Sequence, residues 1–457
     1  MHSRKHHARV LILVSTLLLA GASNFQCTND NSGKSKSSGG KSGIKIRVAA
    51  EQKITGNSGG FNGNLGKGDK FGSAVTDPGD LESDGVTDLA VGAPFGDDGG
   101  NNRGTVWVLF MNADGRVDQH QKISATAGGF GGNLKDDDEF GSAVAGIGDL
   151  DSDGVFDLAV GTPGNDNGGM NRGGVWILFL DAMGKVRGQQ EIADSTGGFG
   201  GNLGNEDNFG SAVTAIGDVN GDGITDLAVG APNSDDGFDN AGAVWILFMK
   251  MDGKVESRQK ISSNGGSFGN NLKADDQFGA AVAGIGDLDK DGIPDLAVGA
   301  PGTSAGKGVI WVLFLDAGGK VREKQKIADG TGGFNGSLVD NDRFGSAIAA
   351  VGDQDGDGIA DLAVGAPNDD DGANDAGAIW ILIMETDGRV NGWQKVSDGS
   401  GSFGGNLKAD DHFGSAIAGI GNLDNSGLAD IVVGAPGDDS SGADQGAVWI
   451  LFMERKI

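Results

Sequence analysis

An all-β fold, a six-bladed β-propeller of four-stranded antiparallel blades, is predicted by three features of this sequence. They are a sixfold repeat near 69 residues, strand-like apolar runs inside each repeat, and a fourth-strand sequence displaced to the opposite end of the chain. A Phe-Gly pair recurs at Phe71, Phe140, Phe209, Phe278, Phe344 and Phe413, at spacings of 69 residues except for one of 66. Trp107, Trp176, Trp245, Trp311, Trp380 and Trp449 keep step, and Trp393 alone falls outside the register. Units this short cannot bury their own apolar faces singly, so they must stack into a solenoid or close into a ring.

One unit shows the strands in order. Residues 209–216 (FGSAVTAI) form a short apolar strand opening on Phe-Gly, and 218–226 an acidic loop. Residues 227–231 (LAVGA) form a second strand stopped by Pro232. After a polar loop, 243–249 (AVWILFM) is apolar almost throughout, as a strand covered on both faces must be. Met251-Asp252-Gly253 is a tight turn into 254–261 (KVESRQKI), a polar strand suited to a solvent rim.

Residues 47–54 (RVAAEQKI) match 254–261 at an offset of 207, three periods of 69, while the last third strand, 447–453, lies near the C-terminus. The expectation is that the N-terminal strand completes the last blade. That pairing would hide two sheet edges and close the ring, whereas a linear solenoid would need polar caps.

Composition agrees. Glycine contributes 87 of 457 residues and proline 8, without the every-third-residue glycine of collagen. With 64 acidic against 35 basic side chains the formal charge is -29, which opposes binding to nucleic acid or an anionic membrane. Residues 1–22 read as a signal peptide, with a basic start (Arg4, Lys5, Arg9), an apolar run from Val10 to Ala20, and Ala20-Gly21-Ala22 as cleavage site. The run is shorter than the roughly 20 residues of a membrane span, so no transmembrane span is expected and the chain is secreted or held at the cell surface. Residues 23–43 are expected to be a disordered linker and 44–457 the propeller. Cys27, the sole cysteine, excludes an intramolecular disulfide. It is a candidate lipid anchor, with a free thiol as the alternative, because Asn24-Phe25-Gln26 departs from the small residues that lipid processing prefers.

Between strands one and two, a nine-residue pattern places oxygen side chains at positions 1, 3, 5 and 9 and glycine at 6. Its five full copies are Asp80/Glu82/Asp84/Asp88, Asp149/Asp151/Asp153/Asp157, Asp218/Asn220/Asp222/Asp226, Asp287/Asp289/Asp291/Asp295 and Asp353/Asp355/Asp357/Asp361. So many acids in one turn repel each other unless a hard cation sits among them, and calcium takes about 6–8 oxygens in flexible geometry. The position-seven carbonyls of Val86, Val155, Ile224, Ile293 and Ile359 are candidate backbone ligands. An EF-hand is excluded, because position 12 is valine inside an apolar strand (Val91, Val160, Val229, Val298, Val364). The alternative is an acidic hairpin that holds itself together without metal. The sixth copy, Asn422/Asp424/Ser426/Asp430, has lost two carboxylates and is expected to be weak or empty. About five Ca2+ sites follow.

The Phe-Gly pairs, these loops and Gly-Ala-Pro at 92–94, 230–232, 299–301, 365–367 and 434–436 resemble the FG-GAP repeats of the integrin α-subunit N-terminal propeller. The resemblance covers about 44–457 and implies a propeller with calcium in the loops between strands one and two. Integrin α-subunits carry seven blades against six here, and a bacterial integrin-like surface protein is the nearer likeness. It implies a recognition or adhesion module that meets a protein or glycan ligand at a cell surface, on the face opposite the calcium loops. That face carries 97–104 (DDGGNNRG), 165–173 (NDNGGMNRG) and the glycine-rich stretch around Gly198-Phe199-Gly200-Gly201-Asn202-Leu203. Two other classes compete: a purely structural surface protein, and a calcium-dependent carbohydrate-active enzyme. No catalytic residue is expected, since His120 and His412 occupy non-equivalent positions and read as solvent-facing.

Overall fold

The computed structural model describes residues 46–455. The expected signal peptide (1–22), linker (23–43) and Cys27 lie outside the described residues. Blade 3 shows the plan, with Ala212–Gly217, Asp226–Ala231, Ala243–Met249 and Val255–Ile261 hydrogen-bonded antiparallel in chain order. Six such sheets follow one another. Every residue of the third strand is buried, because apolar side chains of adjacent blades meet across it. Ile246 and Phe248 of blade 3, for example, share one cluster with Val298, Trp311 and Leu313 of blade 4. Only Val255 and Ile261 are buried on the fourth strand, whose polar residues face water.

The ring closes as the displaced strand predicts. Ile46–Ile54 pairs with Ala447–Arg455, which pairs in turn with Ile431–Ala435, and that strand with Ala416–Gly419. Ile46 lies opposite Arg455 and Ile54 opposite Val448. The short repeat replaces its loop with a tight turn over 303–306, where Ser304 and Ala305 take positive φ.

Strand one differs from expectation at its start. The ladder begins at Ala212, and Phe209 instead makes a parallel bridge to Gly173 of the preceding blade. Equivalent bridges join every neighbouring pair, including Phe71 to Gly446 across the closure. The phenylalanine anchors a seam between blades because its ring is buried, stacking on a second phenylalanine that meets the third-strand tryptophan edge-on. In blade 3 the Phe199–Phe209 and Phe199–Trp245 centroids are 4.7 and 5.1 Å apart. Such pairs add about 0.5–1.5 kcal/mol beyond the area they bury.

The glycines of the two motifs meet at this seam. A Cβ on Gly92 would lie 1.9 Å from the carbonyl oxygen of Gly141 in the next blade, and the same distance recurs at Gly161/Gly210, Gly230/Gly279, Gly299/Gly345, Gly365/Gly414 and Gly434/Gly72. The Phe-Gly and Gly-Ala-Pro glycines are thus the two sides of one backbone contact that no side chain can enter.

Candidate metal centres

Each acidic loop joins strand one to strand two, and its positions do different work. Position nine is the most buried. Asp88, Asp157, Asp226, Asp295, Asp361 and Asp430 are all fully buried. In blade 3 the Val219 and Met249 N–H groups each donate to the Asp226 carboxylate at 3.0 Å, tying the loop to the end of strand three. Burial pushes these acids up, to about 7 at Asp88, Asp157 and Asp361 and about 6 at Asp226, Asp295 and Asp430.

Position one organises the turn. The Asp222 and Gly223 N–H groups donate to the two oxygens of Asp218 at 3.0 and 2.7 Å, and the Ile224 N–H donates to Asp222 at 2.8 Å. Asp80, Asp149, Asp287 and Asp353 accept the same pair of bonds. The turn needs positive φ at position six, met by Gly223 at 86°. At Asp218 the Gly221 N–H also donates to the same oxygen as Asp222, at 2.7 Å, whereas the oxygen that accepts from Gly223 keeps a second lone pair. The position-seven residues Val86, Val155, Ile224, Ile293 and Ile359 also set their side chains partly against the core.

Oxygens of Asp149, Asp151 and Asp157, of Asp287, Asp289 and Asp291, and of Asp353, Asp355 and Asp357 lie within 4.8 Å of one another inside each trio. Among the described residues, loops one and three gather no such trio of acids. Asp84 is exposed, and its carboxylate turns back to accept the Val86 N–H at 2.8 Å. Glu82 stands where the other full copies hold the shorter Asp or Asn. Among the described residues no basic side chain forms an ion pair with Asp84. In loop three the Asn220 amide donates to Asp222 at 2.9 Å. The donor set is hard oxygen, and the buried Asp151 Oδ1 has no hydrogen-bond partner, so these loops fit a divalent cation of the calcium type. Loop six differs: the Ser426 N–H turns to Asp424 at 2.8 Å, and the Ser426 hydroxyl donates to the Met453 carbonyl at 3.1 Å.

Five stretches, 72–109, 140–178, 209–247, 278–313 and 344–382, match the family model of the FG-GAP repeat. They are the first three strands and acidic loops of blades 1 to 5. The chain is an FG-GAP repeat protein. Curated relatives of this FG-GAP chain include integrin alpha pat-2 of Caenorhabditis elegans, 31% identical over 242 residues, which cover 49% of this chain and 17% of that one. Integrin alpha-5 of Xenopus laevis is 30% identical over 50% of this chain and 20% of its own. Integrin alpha-6 of Gallus gallus is 34% identical over 35% and 14%. The matched region is therefore a fifth or less of each relative's length, and the likeness is to an integrin α propeller.

Three features of this FG-GAP ring were not anticipated. Arg187 and Arg322, each the second residue of a fourth strand, reach the acids of their own blade's loop. Arg187 pairs with Asp151 and Asp153 at 2.5 and 2.6 Å, and Arg322 pairs with Asp289 and, at 2.7 Å, with Asp291. Asp77 sits on a central cavity of about 280 Å³ lined by the six first strands, the one charged residue in that lining. Burial raises it to about 6, although the Gly79 N–H donates to it at 2.6 Å. Its signal in the sequence is Asp77-Pro78 where the next blade has Gly146-Ile147. The third feature is the glycine-rich loop, read above as open surface. Phe199 and Leu203 are buried there, so its apolar residues belong to the seam. His120 is not solvent-facing either: it is half-buried against Phe61 and Trp107, and burial lowers its pKa. His412 Nδ1 lies 3.3 Å from the Pro367 carbonyl. No helix among the described residues is long and apolar enough to cross a membrane.

Proposed function

We propose that the chain is an exported, calcium-binding FG-GAP propeller that recognises a protein or glycan at a cell surface. The observation that carries the reading is the acidic loop, repeated five times with its backbone drawn onto the position-one carboxylate, and with acid oxygens brought together in loops two, four and five. Similarity to integrin α propellers supports recognition over a purely structural role. The loops between strands two and three are the recognising surface. In blades 2 and 3, which are neighbours, they offer Met170 and Phe238, 56% and 41% exposed, among aspartates and asparagines. Export rests on the basic and apolar pattern of residues 1–22.

An ion that binds the folded ring alone stabilises it by about 2.7 kcal/mol per loop at a hundred times its Kd. Chelation should therefore lower Tm, and millimolar calcium should restore it. Arrays of glycans and matrix proteins, probed in calcium, should show a ligand whose binding falls at least about tenfold on replacing Met170 and Phe238 by serine. Identical melting curves with and without chelator would remove calcium from the reading. Absence of any ligand across the arrays would favour the structural role.

A further inference from the structure

We infer that Arg187 and Arg322 are resident counter-ions, so that loops two and four bind calcium more weakly than loops one, three and five. The inference rests on the calcium reading and concerns how the chain divides its loops.

The residue after the first valine of each fourth strand occupies one register position around the ring. It is Asp118, Arg187, Glu256, Arg322, Asn391 and Ala49 in blades 1 to 6. Two of the six are cations, and both guanidinium groups sit on positions three and five of the adjacent acidic loop. Arg187 is fixed further by donating from Nε to the Leu180 carbonyl at 3.0 Å. In blade 1 the same position adds a negative charge: Asp118 acts on Glu82 and raises its pKa further, behind the larger effects of burial and Asp84. Glu256 leans toward Lys250 at 3.9 Å. At blade 5, Arg455 donates to the Gln354 carbonyl at 3.2 Å and, among the described residues, pairs with no loop acid within 4 Å.

A divalent ion needs the oxygens of positions three and five that the two arginines hold. In loops two and four it must displace a cation already paired there or share the site with it. In loops one, three and five no basic side chain among the described residues is paired with those oxygens, although the Arg455 guanidinium lies beside Gly356 of loop five. The arginines stay partly exposed, with side chains 38% and 42% accessible, so they can swing out as calcium rises. Such a ring would hold three ions firmly and two in reserve.

Calorimetric titration of the chelator-stripped full chain with calcium tests this. Three tight sites and a weaker class are expected for the unaltered chain. The pair Arg187→Gln and Arg322→Gln should show five tight sites, each of the two gained at least about tenfold tighter, because a unit positive charge has been removed within ~4 Å of the ion. Arg187→Lys with Arg322→Lys should keep the original stoichiometry. Asp118→Arg should cost one tight site. Five equal sites in the unaltered chain, or an unchanged isotherm for the glutamine pair, would overturn the inference while leaving calcium binding intact. No calcium heat in any variant would sink the calcium reading itself. Melting curves in chelator check that each variant is folded.

Discussion

Loop three and loop six run the same course between strands one and two, yet they keep different parts of the acidic pattern. Asp226 and Asp430 occupy the same buried place and accept the same two backbone N–H groups, from Val219 and Met249 in one loop and from Leu423 and Met453 in the other. Position one is Asp218 in loop three and Asn422 in loop six, and position five is Asp222 against Ser426. The residue kept in both loops is the one the sheet requires. Those relaxed in loop six are the ones an ion would require. An acidic motif therefore mixes two duties that sequence spacing alone presents as one.

The largest expected effect concerns acidity, since the buried acids of both kinds of loop act together. Asp226 and Asp430 have folded values of about 6, as do Asp138 and Asp342 near the Phe-Gly pairs, in each case raised first by burial. A raised carboxylate binds its proton more tightly folded than unfolded, so stability falls as pH rises from about 4 through about 6. In chelator, lowering the pH from 7 to 5 should raise Tm, the gain in stability summing to several kcal/mol at about 1.4 kcal/mol for each tenfold gain in proton affinity on folding. A flat or falling Tm over that range would contradict it. Next come the two buried aspartates taken singly. Asp226→Ala and Asp430→Ala each orphan two buried N–H groups and should cost about 2–6 kcal/mol in denaturant unfolding, equally in chelator. A neutral Asp430→Ala would break the division of duties. The smallest effect is Asp218→Ala, which costs about 1 kcal/mol in chelator through its lost turn bonds and more in calcium. Asn422→Ala should respond to neither condition.

Much of this was legible because the repeat is long, regular and sixfold. Strand three announces itself by an unbroken apolar run, and the displaced 47–54 segment announces closure. Positions one, three, five, six and nine of the loop were readable from spacing. Which acids lie close together was not, because spacing fixes where a residue stands on the turn and leaves open where its carboxylate points. Nor could the packing of one blade on the next be read. Gly92 meets Gly141 across a seam, so the Phe-Gly pair looked like the start of a strand when it serves the neighbouring blade. The stretch around Phe199 looked like open loop because glycines surround it, whereas its ring lies in the core. Arg187 stands 36 residues from Asp151, and its meaning emerges when six fourth strands are aligned rather than when one is read.

Pairing Ile46 with Arg455 also has a mechanical consequence. Any load applied through the segment ahead of Ile46 falls first on the outermost strand of blade 6, the one place among the described residues where neighbouring strands of a blade are joined by hydrogen bonds and packing without a connecting turn. Under tension that strand is the clasp of the bracelet. The ring would spring open there before any other blade felt the pull, and it could refasten without rebuilding the rest.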